Sequence, residues 1–231
     1  MKKNKNIAFI CEGLSYEYGG QAVSIPSLGN ALAKNSNVNY FVTESETDRI
    51  SIIDKSSRVF FCKAFGKKIK FSPMLFLLLF KQRKNIDIVH INNLWNFVPL
   101  MTSIFCYFFK KPYVVSTRGM AMQQSIMSNK KKYIFFILFL KNFLINAKFI
   151  HITSNDEKIN LINLNIKNEY IFAPNGVEET IKNISFNKLI NIRVNSKQVL
   201  FVGKICEHKN IDILINAFSL FIAEKVDWRL M

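Results

Sequence analysis

Arg118 closes the run YVVSTRG, and His90, Asn92, Asn93 and Trp95 cluster at the end of IDIVHINNLW. An arginine so placed can grip a phosphate or carboxylate through two parallel hydrogen bonds; a plain surface arginine is the alternative. Side-chain amides beside an indole face suit a hydroxylated ring, so the second group suggests a polar, sugar-like ligand, against a histidine that serves only the fold. Two further stretches bear on phosphate. In CEGLSYEYGGQAV, the adjacent Gly19 and Gly20 let backbone N–H groups come close to a ligand where a helix begins, and a helix N-terminus favours anions. The spacing is not G-x-G-x-x-G, and a flexible connecting loop accounts for it equally. In FVGKICEHKN, Gly203 and Lys204, then Lys209, lie between a strand and a helix. Two ammonium groups beside a helix N-terminus make a diphosphate site. None of these residues is singled out as catalytic, and no Cys/His cluster has the spacing of a metal site.

Such residues converge only if the segments before them are neighbouring strands. The apolar runs IAFIC, VNYFV, RVFFC, IDIVHI, YVVST and KFIHIT alternate with helical stretches around 22–34, 74–84, 95–109, 131–146 and 156–164. Near-continuous apolar strands between helices predict an α/β fold, a Rossmann-like parallel sheet covered by helices on both faces. Ligands on such sheets bind at the carboxyl ends of the strands. TSNDEK places Ser154 three residues before Glu157, the pattern of a capping box, and Pro174-Asn175-Gly176 marks a forced turn after a further short strand. Asn and Lys then dominate a weakly periodic stretch before QVLFV opens a second β/α unit. The expected division is therefore a first domain over 1–177, a linker over 178–196, and the start of a second domain over 197–231.

The chain carries 32 basic against 16 acidic residues, a formal charge of +16, which points to a polyanionic partner. The distribution is sharper than the sum. No acidic residue lies between Asp87 and Asp156, whereas Lys110, Lys111, Arg118, Lys130, Lys131, Lys132, Lys141 and Lys148 do. A solvated basic face is one reading and a surface resting on anionic lipid the other. Apolar stretches such as KKKYIFFILFLKNFLI are cut by charge short of the roughly 20 residues a membrane span requires, so buried or interfacial helices are expected. Cys11, Cys62, Cys106 and Cys206 stand far apart in apolar surroundings and read as reduced core residues of a cytosolic protein.

Taken in order, Gly19-Gly20, DIVHINNLW, VVSTRGM, FIHITSNDE, APNGVE and FVGKICEHKNIDILINAF resemble glycosyltransferase family 4, retaining sugar-nucleotide transferases of the GT-B fold. The resemblance covers nearly the whole chain, and PNGV followed by FVGKICEHKNIDILINAF is its most specific part. It implies two facing Rossmann-like domains, the N-terminal one binding the acceptor and the C-terminal one most of the nucleotide-sugar donor. Carried over by position, Gly19, Gly20, Gly203, Lys204 and Lys209 would hold the donor phosphates, and His90, Asn92, Asn93, Trp95 and Arg118 would line the acceptor cleft. Lys204 stands where Arg is usual, so a fork of donors becomes a single ammonium. Arg118 takes a place where many members have His. The family's paired glutamates, E-x₇-E, lie downstream of the FVGK strand, and the sequence ends first. The resemblance implies no metal and no cofactor; the nucleotide diphosphate sugar is a substrate, and the charge of its leaving diphosphate would be stabilised by Lys204, Lys209 and helix-end N–H groups.

The RGM and TSxxE variants are similar to members that build bacterial capsule, O-antigen or exopolysaccharide. The expectation is a hexosyltransferase-type enzyme of surface polysaccharide synthesis, cytoplasmic and peripheral at the inner face of the membrane, using a lipid-linked or saccharide acceptor. Little transfer is expected of these 231 residues alone, with a second chain able to supply the rest of the donor domain. The alternative is a non-catalytic remnant that binds acceptor and membrane. Nucleic acid is not an expected partner, since the aromatics sit in core-like runs and no nucleic-acid motif is present.

Overall fold

In the computed structural model, residues 4–44, 53–66, 69–127, 129–176, 197–203, 205, 209–222 and 228–231 are described. The chain divides into two compact units, Met1–Glu178 and Glu179–Met231. The linker expected over 178–196 lies outside the described residues, as do Lys204 and Cys206.

Seven strands build the first unit: β1 (Lys5–Cys11), β2 (Ser36–Val42), β3 (Arg58–Phe61), β4 (Ile88–Ile91), β5 (Tyr113–Ser116), β6 (Phe149–Ile152) and β7 (Tyr170–Phe172). All pair in parallel, in the order β3-β2-β1-β4-β5-β6-β7. The fold expected from the alternation of apolar runs is the one observed. Strand order reverses at β1, which has β2 on one side and β4 on the other. A crevice therefore opens beyond the carboxyl ends of β1 and β4, where open α/β sheets take their ligands.

Parity along the strands decides what each face carries. Ala8, Ile10, Val89, Ile91, Val115, Ile150 and Ile152 point to one face. There they meet α2 (Pro73–Gln82) through Leu75 and Leu79, and α3 (Phe97–Phe108) through Val98 and Phe105. On the same face lies a helical rod made of α5 (Lys130–Phe135), a π-helical turn (Phe136–Leu140) and α6 (Lys141–Ile145). The short α4 (Gln123–Met127) precedes it and α7 (Asn155–Asn163) follows β6. Phe9, Cys11, Val38, Tyr40 and Val42 point the other way and are covered by α1 (Gln21–Ala33) through Ile25, Leu28 and Leu32. Each buried side chain of this size contributes about 1.5–3 kcal/mol. Under β4, β5 and β6 the α1 side of the sheet instead carries His90, Ser116 and His151, all buried.

Cys11, Cys62 and Cys106 are buried and unbridged. Among the described residues, no helix is long and apolar enough to cross a membrane.

In the second unit β8 (Lys197–Val199) pairs in parallel with β9 (Trp228–Leu230), and α8 (Ile211–Ile222) runs between them, its Phe221 ring 5.3 Å from Trp228. β8 is shorter than the strand expected over 198–202. Its ladder runs out with its partner, the final bonds being Met231 N–H to Val199 O and Phe201 N–H to Met231 O.

Candidate functional site

The site is assembled by strand ends. β1 delivers Glu12, β4 delivers Asn92 and Asn93, and β5 delivers Thr117 and Arg118 to the same edge of the sheet. Arg118 is at the centre. Its Nη1 donates to Ser24 Oγ at 2.8 Å and to Asn175 Oδ1 at 3.3 Å, and its Nη2 donates to Asn92 Oδ1 at 3.1 Å. Every one of these acceptors is neutral. Its Nε is buried with no partner. Burial pushes the guanidinium below its ordinary pKa, against the pull of Cys11 and Glu157. The Cys11 thiol, itself pushed up to about 12 by burial, is neutral at pH 7, so Glu157 is the charge that faces Arg118. Arg118 is thus a partly desolvated cation without an ion pair among the described residues, a standing attraction for an anion.

Ser24 ties Arg118 to α1, the helix that Gly19 and Gly20 open. Gly19 has φ +58, which lets the chain turn into the helix, and a Cβ placed at Gly19 or Gly20 would meet nothing within 4 Å. The backbone there borders open space, as an approaching ligand needs. The loop is braced from β2, where Glu44 Oε2 accepts from Leu14 N–H at 3.1 Å and Ser15 N–H at 3.3 Å.

The backbone of Arg118 is unusual for a residue with a Cβ: φ is +46, and Gly119 follows at +75. A buried carboxylate holds this turn. Glu157 Oε1 accepts from Thr117 Oγ1 and from Gly119 N–H at 2.6 Å, while Oε2 accepts from Thr153 N–H at 2.8 Å and Thr153 Oγ1 at 3.2 Å. Half of the expected capping box is present, since Ser154 Oγ accepts from Glu157 N–H at 3.2 Å. The carboxylate does not return to Ser154 N–H. At 2 % exposure it needs a full set of donors, and the β5 and β6 ends supply four.

His90 is separate from this cluster. Its Nε2 lies 2.7 Å from Ser116 Oγ, which lies 2.6 Å from His151 Nδ1, and His151 Nε2 lies 2.8 Å from Ala173 O. The carbonyl fixes the protons. It can only accept, so His151 carries its proton on Nε2, Nδ1 accepts from Ser116, and Ser116 accepts from His90 Nε2–H. Burial, together with His151 and Arg118, pushes the His90 pKa down to about 3. Folded His90 therefore resists a proton that the unfolded chain accepts below about pH 6.5, so stability is full above that pH and falls as pH drops toward 3. Between about pH 6.5 and about pH 5 the loss is about 2 kcal/mol. Urea midpoints for the wild type and His90→Asn across this range should show the slope only in the wild type; equal slopes would contradict a neutral His90 in the folded protein.

Asn93 and Asn96 form a second buried pair, Asn93 Nδ2 donating to Asn96 Oδ1 at 3.1 Å, which also accepts from Val98 N–H at 2.9 Å to cap α3. Asn93 Oδ1 is buried and unpartnered. Glu12 has its carboxyl pKa raised by burial and by Glu44, against the lowering influence of Lys70 and of a hydrogen bond from Asn96. The Lys70 ammonium lies 3.9 Å from it and donates to Tyr18 Oη at 3.0 Å. Trp95 donates its indole N–H to Met120 O at 2.8 Å, and the Lys132 ammonium sits 5.3 Å from its ring, so Trp95 is tied to the loop after β5 rather than to Arg118. Gly203 and Lys209 belong to the second unit, where both are exposed. A Cβ at Gly203 would press the Phe201 ring at 3.1 Å.

The structure therefore brings Arg118 and Asn92 together beside the Gly19–Gly20 helix start, and gives His90, Asn93 and Trp95 partners of their own. Ser24, Asn175, Glu157, His151 and Glu12 complete these networks without having been expected to. One sequence signal pointed to the histidine chain: IVHI and FIHI carry His at the same place in two strands, one residue before the last.

No family model matches the chain. No curated protein matches it either. Among solved structures it is similar to a sucrose-phosphate synthase from Thermosynechococcus elongatus, with TM-score 0.72 and 18% identity over 98% of this chain and 61% of that one. It is similar to HepE from Anabaena, solved in complex with UDP and glucose, with TM-score 0.67 and 13% identity over 94% of this chain and 58% of that one. It is also similar to a glycosyltransferase from Rickettsia africae, with TM-score 0.65 and 15% identity over 99% of this chain and 68% of that one. At such identities the likeness establishes the fold, which the chain shares with GT-B glycosyltransferases, and the chain spans about three-fifths of the length of the first two.

Proposed function

We propose that this chain serves glycosyl transfer from a nucleotide diphosphate sugar, and that its crevice receives the diphosphate and the acceptor. The observation that carries the reading is Arg118, a half-buried guanidinium held by three neutral acceptors, with no ion pair among the described residues and its buried Nε left over. A diphosphate supplies both the missing charge and the missing acceptors. The Gly19–Gly20 helix start, tied to Arg118 through Ser24, offers backbone donors to the same group. Asn92 and Asn93 suit the hydroxyls of the acceptor, and Gly203, Lys204 and Lys209 act on the donor phosphates from the second unit.

In the reaction, the bond from the anomeric carbon to the diphosphate oxygen breaks as an acceptor hydroxyl oxygen bonds to that carbon on the same face. The hydroxyl proton passes to the departing phosphate oxygen, and configuration is retained. Arg118 favours the departing charge without moving a proton. The reading extends to a retaining hexosyltransferase of family 4 in bacterial surface polysaccharide synthesis, working on a saccharide or lipid-linked acceptor at the cytoplasmic face of the membrane, with a further chain able to complete the donor side. Neither a metal nor a cofactor takes part.

Calorimetric titration with UDP, UDP-glucose and a panel of other nucleotide sugars tests this, followed by a radiolabel transfer assay on lipid and saccharide acceptors. Binding of a nucleotide sugar, displaced by its free nucleotide diphosphate, is the expected result, with label reaching an acceptor when the further chain is present. Binding of acceptor without transfer would favour a non-catalytic acceptor-binding role. If no nucleotide sugar binds, the proposal fails.

A further inference from the structure

At the opposite edge of the sheet, by the amino ends of β5 and β6, an open groove of about 1170 Å³ runs between the end of α3 and the end of the α5–π–α6 rod. Its floor is apolar and includes Tyr113 and Phe143, whose rings stack 5.6 Å apart. Its walls include Tyr107 and Phe108, which are 82% and 68% exposed. Phe139 of the π turn lines it too and is exposed, as are its neighbours Ile137 and Leu138. Lys110, Lys111 and Lys148 stand in the lining, and among the described residues no carboxylate does.

Two features of this region need an explanation that the crevice does not supply. From Tyr133 to Leu140 the rod is apolar all round. Phe136, Leu140, Phe143 and Leu144 are buried on the sheet, yet Tyr133, Ile134, Ile137, Leu138 and Phe139 on the remaining turns are exposed. A surface helix normally turns a polar face outward, so this one lacks a cover within the unit. The charge is equally one-sided, since the sequence from 88 to 155 holds eight cations and no anion. A second copy of the chain seated on the same face would set lysine against lysine, and an apolar partner alone would leave the ammonium groups without counter-charge.

We infer that this face docks on an anionic lipid bilayer, with Tyr107, Phe108 and Phe139 entering the acyl boundary and Lys110, Lys111 and Lys148 meeting lipid phosphates. Aromatic tips beside lysines whose long stems reach past them are the chemistry of the bilayer interface. Lys111 already donates to Ile86 O at 2.6 Å, which keeps its ammonium at the groove while leaving two protons for phosphate. Because the groove lies at the amino edge and the crevice at the carboxyl edge, docking leaves the crevice uncovered. The inference gives the membrane named above a place on the chain, but it rests on the groove alone, and vesicle binding is read with no sugar present, so it can fail while the transferase reading stands.

The test is co-sedimentation of the full chain with phosphatidylcholine vesicles that contain or lack phosphatidylglycerol. Binding should require phosphatidylglycerol and weaken as salt is raised. Each lysine near an anionic surface is worth about a fivefold change in partitioning, so the pair Lys110→Gln and Lys148→Gln should weaken binding about 25-fold. Phe108→Trp, at an exposed position that the fold does not need, should add indole fluorescence that brominated phosphatidylglycerol quenches. Equal binding to neutral vesicles, indifference to the lysine pair, or added fluorescence that the brominated lipid leaves unquenched would each overturn the inference. So would a wild-type dimer that Tyr107→Ser turns into a monomer, since the occupant would then be a second copy. Glycerol phosphate at matched phosphate concentration should not compete; full competition would assign the lysines to a soluble phosphate and overturn it as well.

Discussion

Arg118→Ala is expected to lower sugar transfer by about 10²–10³-fold while leaving the protein as stable as before or more stable. The two halves of that expectation come from one fact. A guanidinium taken partly out of water and bonded only to Ser24, Asn92 and Asn175 burdens the folded state, because neutral acceptors return only part of what solvation supplied. Removing it relieves the fold. In the reaction the same cation faces a diphosphate whose charge grows as it departs, and a preorganised donor aimed at developing charge is worth that factor in rate. Arg118→Lys separates charge from geometry. Lysine restores the positive charge but not the planar fork that spans Ser24 and Asn175 on one nitrogen and Asn92 on the other, so it should recover little of the lost rate. Turnover and urea unfolding measured on the same preparations decide the matter. Full activity in Arg118→Ala, or a large loss of stability with it, would make Arg118 a structural residue and remove the observation on which the functional reading stands.

Much of the sheet was legible because the rules that form it are local. Apolar runs such as IAFIC and YVVST, each followed by a helical stretch, leave a parallel sheet as the arrangement that buries both, and that is the sheet observed. Strand ends then marked Asn92 and Arg118 as crevice residues, since side chains just past a parallel strand reach its carboxyl edge. What the sequence withheld were pairings between distant residues. Arg118 meets Ser24, 94 residues away, because β1 lies two strands from β5 and α1 leaves from the crevice edge. No local pattern specifies that distance. Glu157 looked like a helix cap because a cap depends on spacing alone, whereas its other partners depend on β5 and β6 being neighbours. The histidine chain was half visible. Matched positions in two strands put His90 and His151 on one face, but only the register, with Ser116 opposite His151, shows the serine that joins them.

Glu157→Ala is expected to destabilise the first unit by about 3–5 kcal/mol, a large part of what holds an ordinary domain together. The carboxylate takes four donors, from Thr117, Gly119 and both groups of Thr153, and it is 2 % exposed. Alanine leaves the buried Thr117 hydroxyl and the part-buried donors of Gly119 and Thr153 without their acceptor. Each buried unsatisfied group costs about 1–3 kcal/mol, those that water can reach cost less, and the sum is reduced by relaxation. Glu157→Gln should cost less but still destabilise, because the amide keeps one oxygen and turns an N–H₂ toward a donor that has nothing to give it. The effect should also travel. Arg118 holds a left-handed backbone at φ +46 that few side chains adopt unaided, and the grip of Glu157 on Thr117 and Gly119 brackets it. Once that grip is lost the turn relaxes toward ordinary φ, and the guanidinium leaves its position between Ser24 and Asn92. Glu157 is therefore a positioning residue, and the measurement that separates this from simple loss of stability is a double-mutant cycle read in transfer rate at a temperature where all variants are folded. If Glu157→Gln slows the reaction strongly in the wild type and hardly at all when Arg118 is already alanine, the carboxylate acts through the arginine. If the two losses multiply independently, it does not.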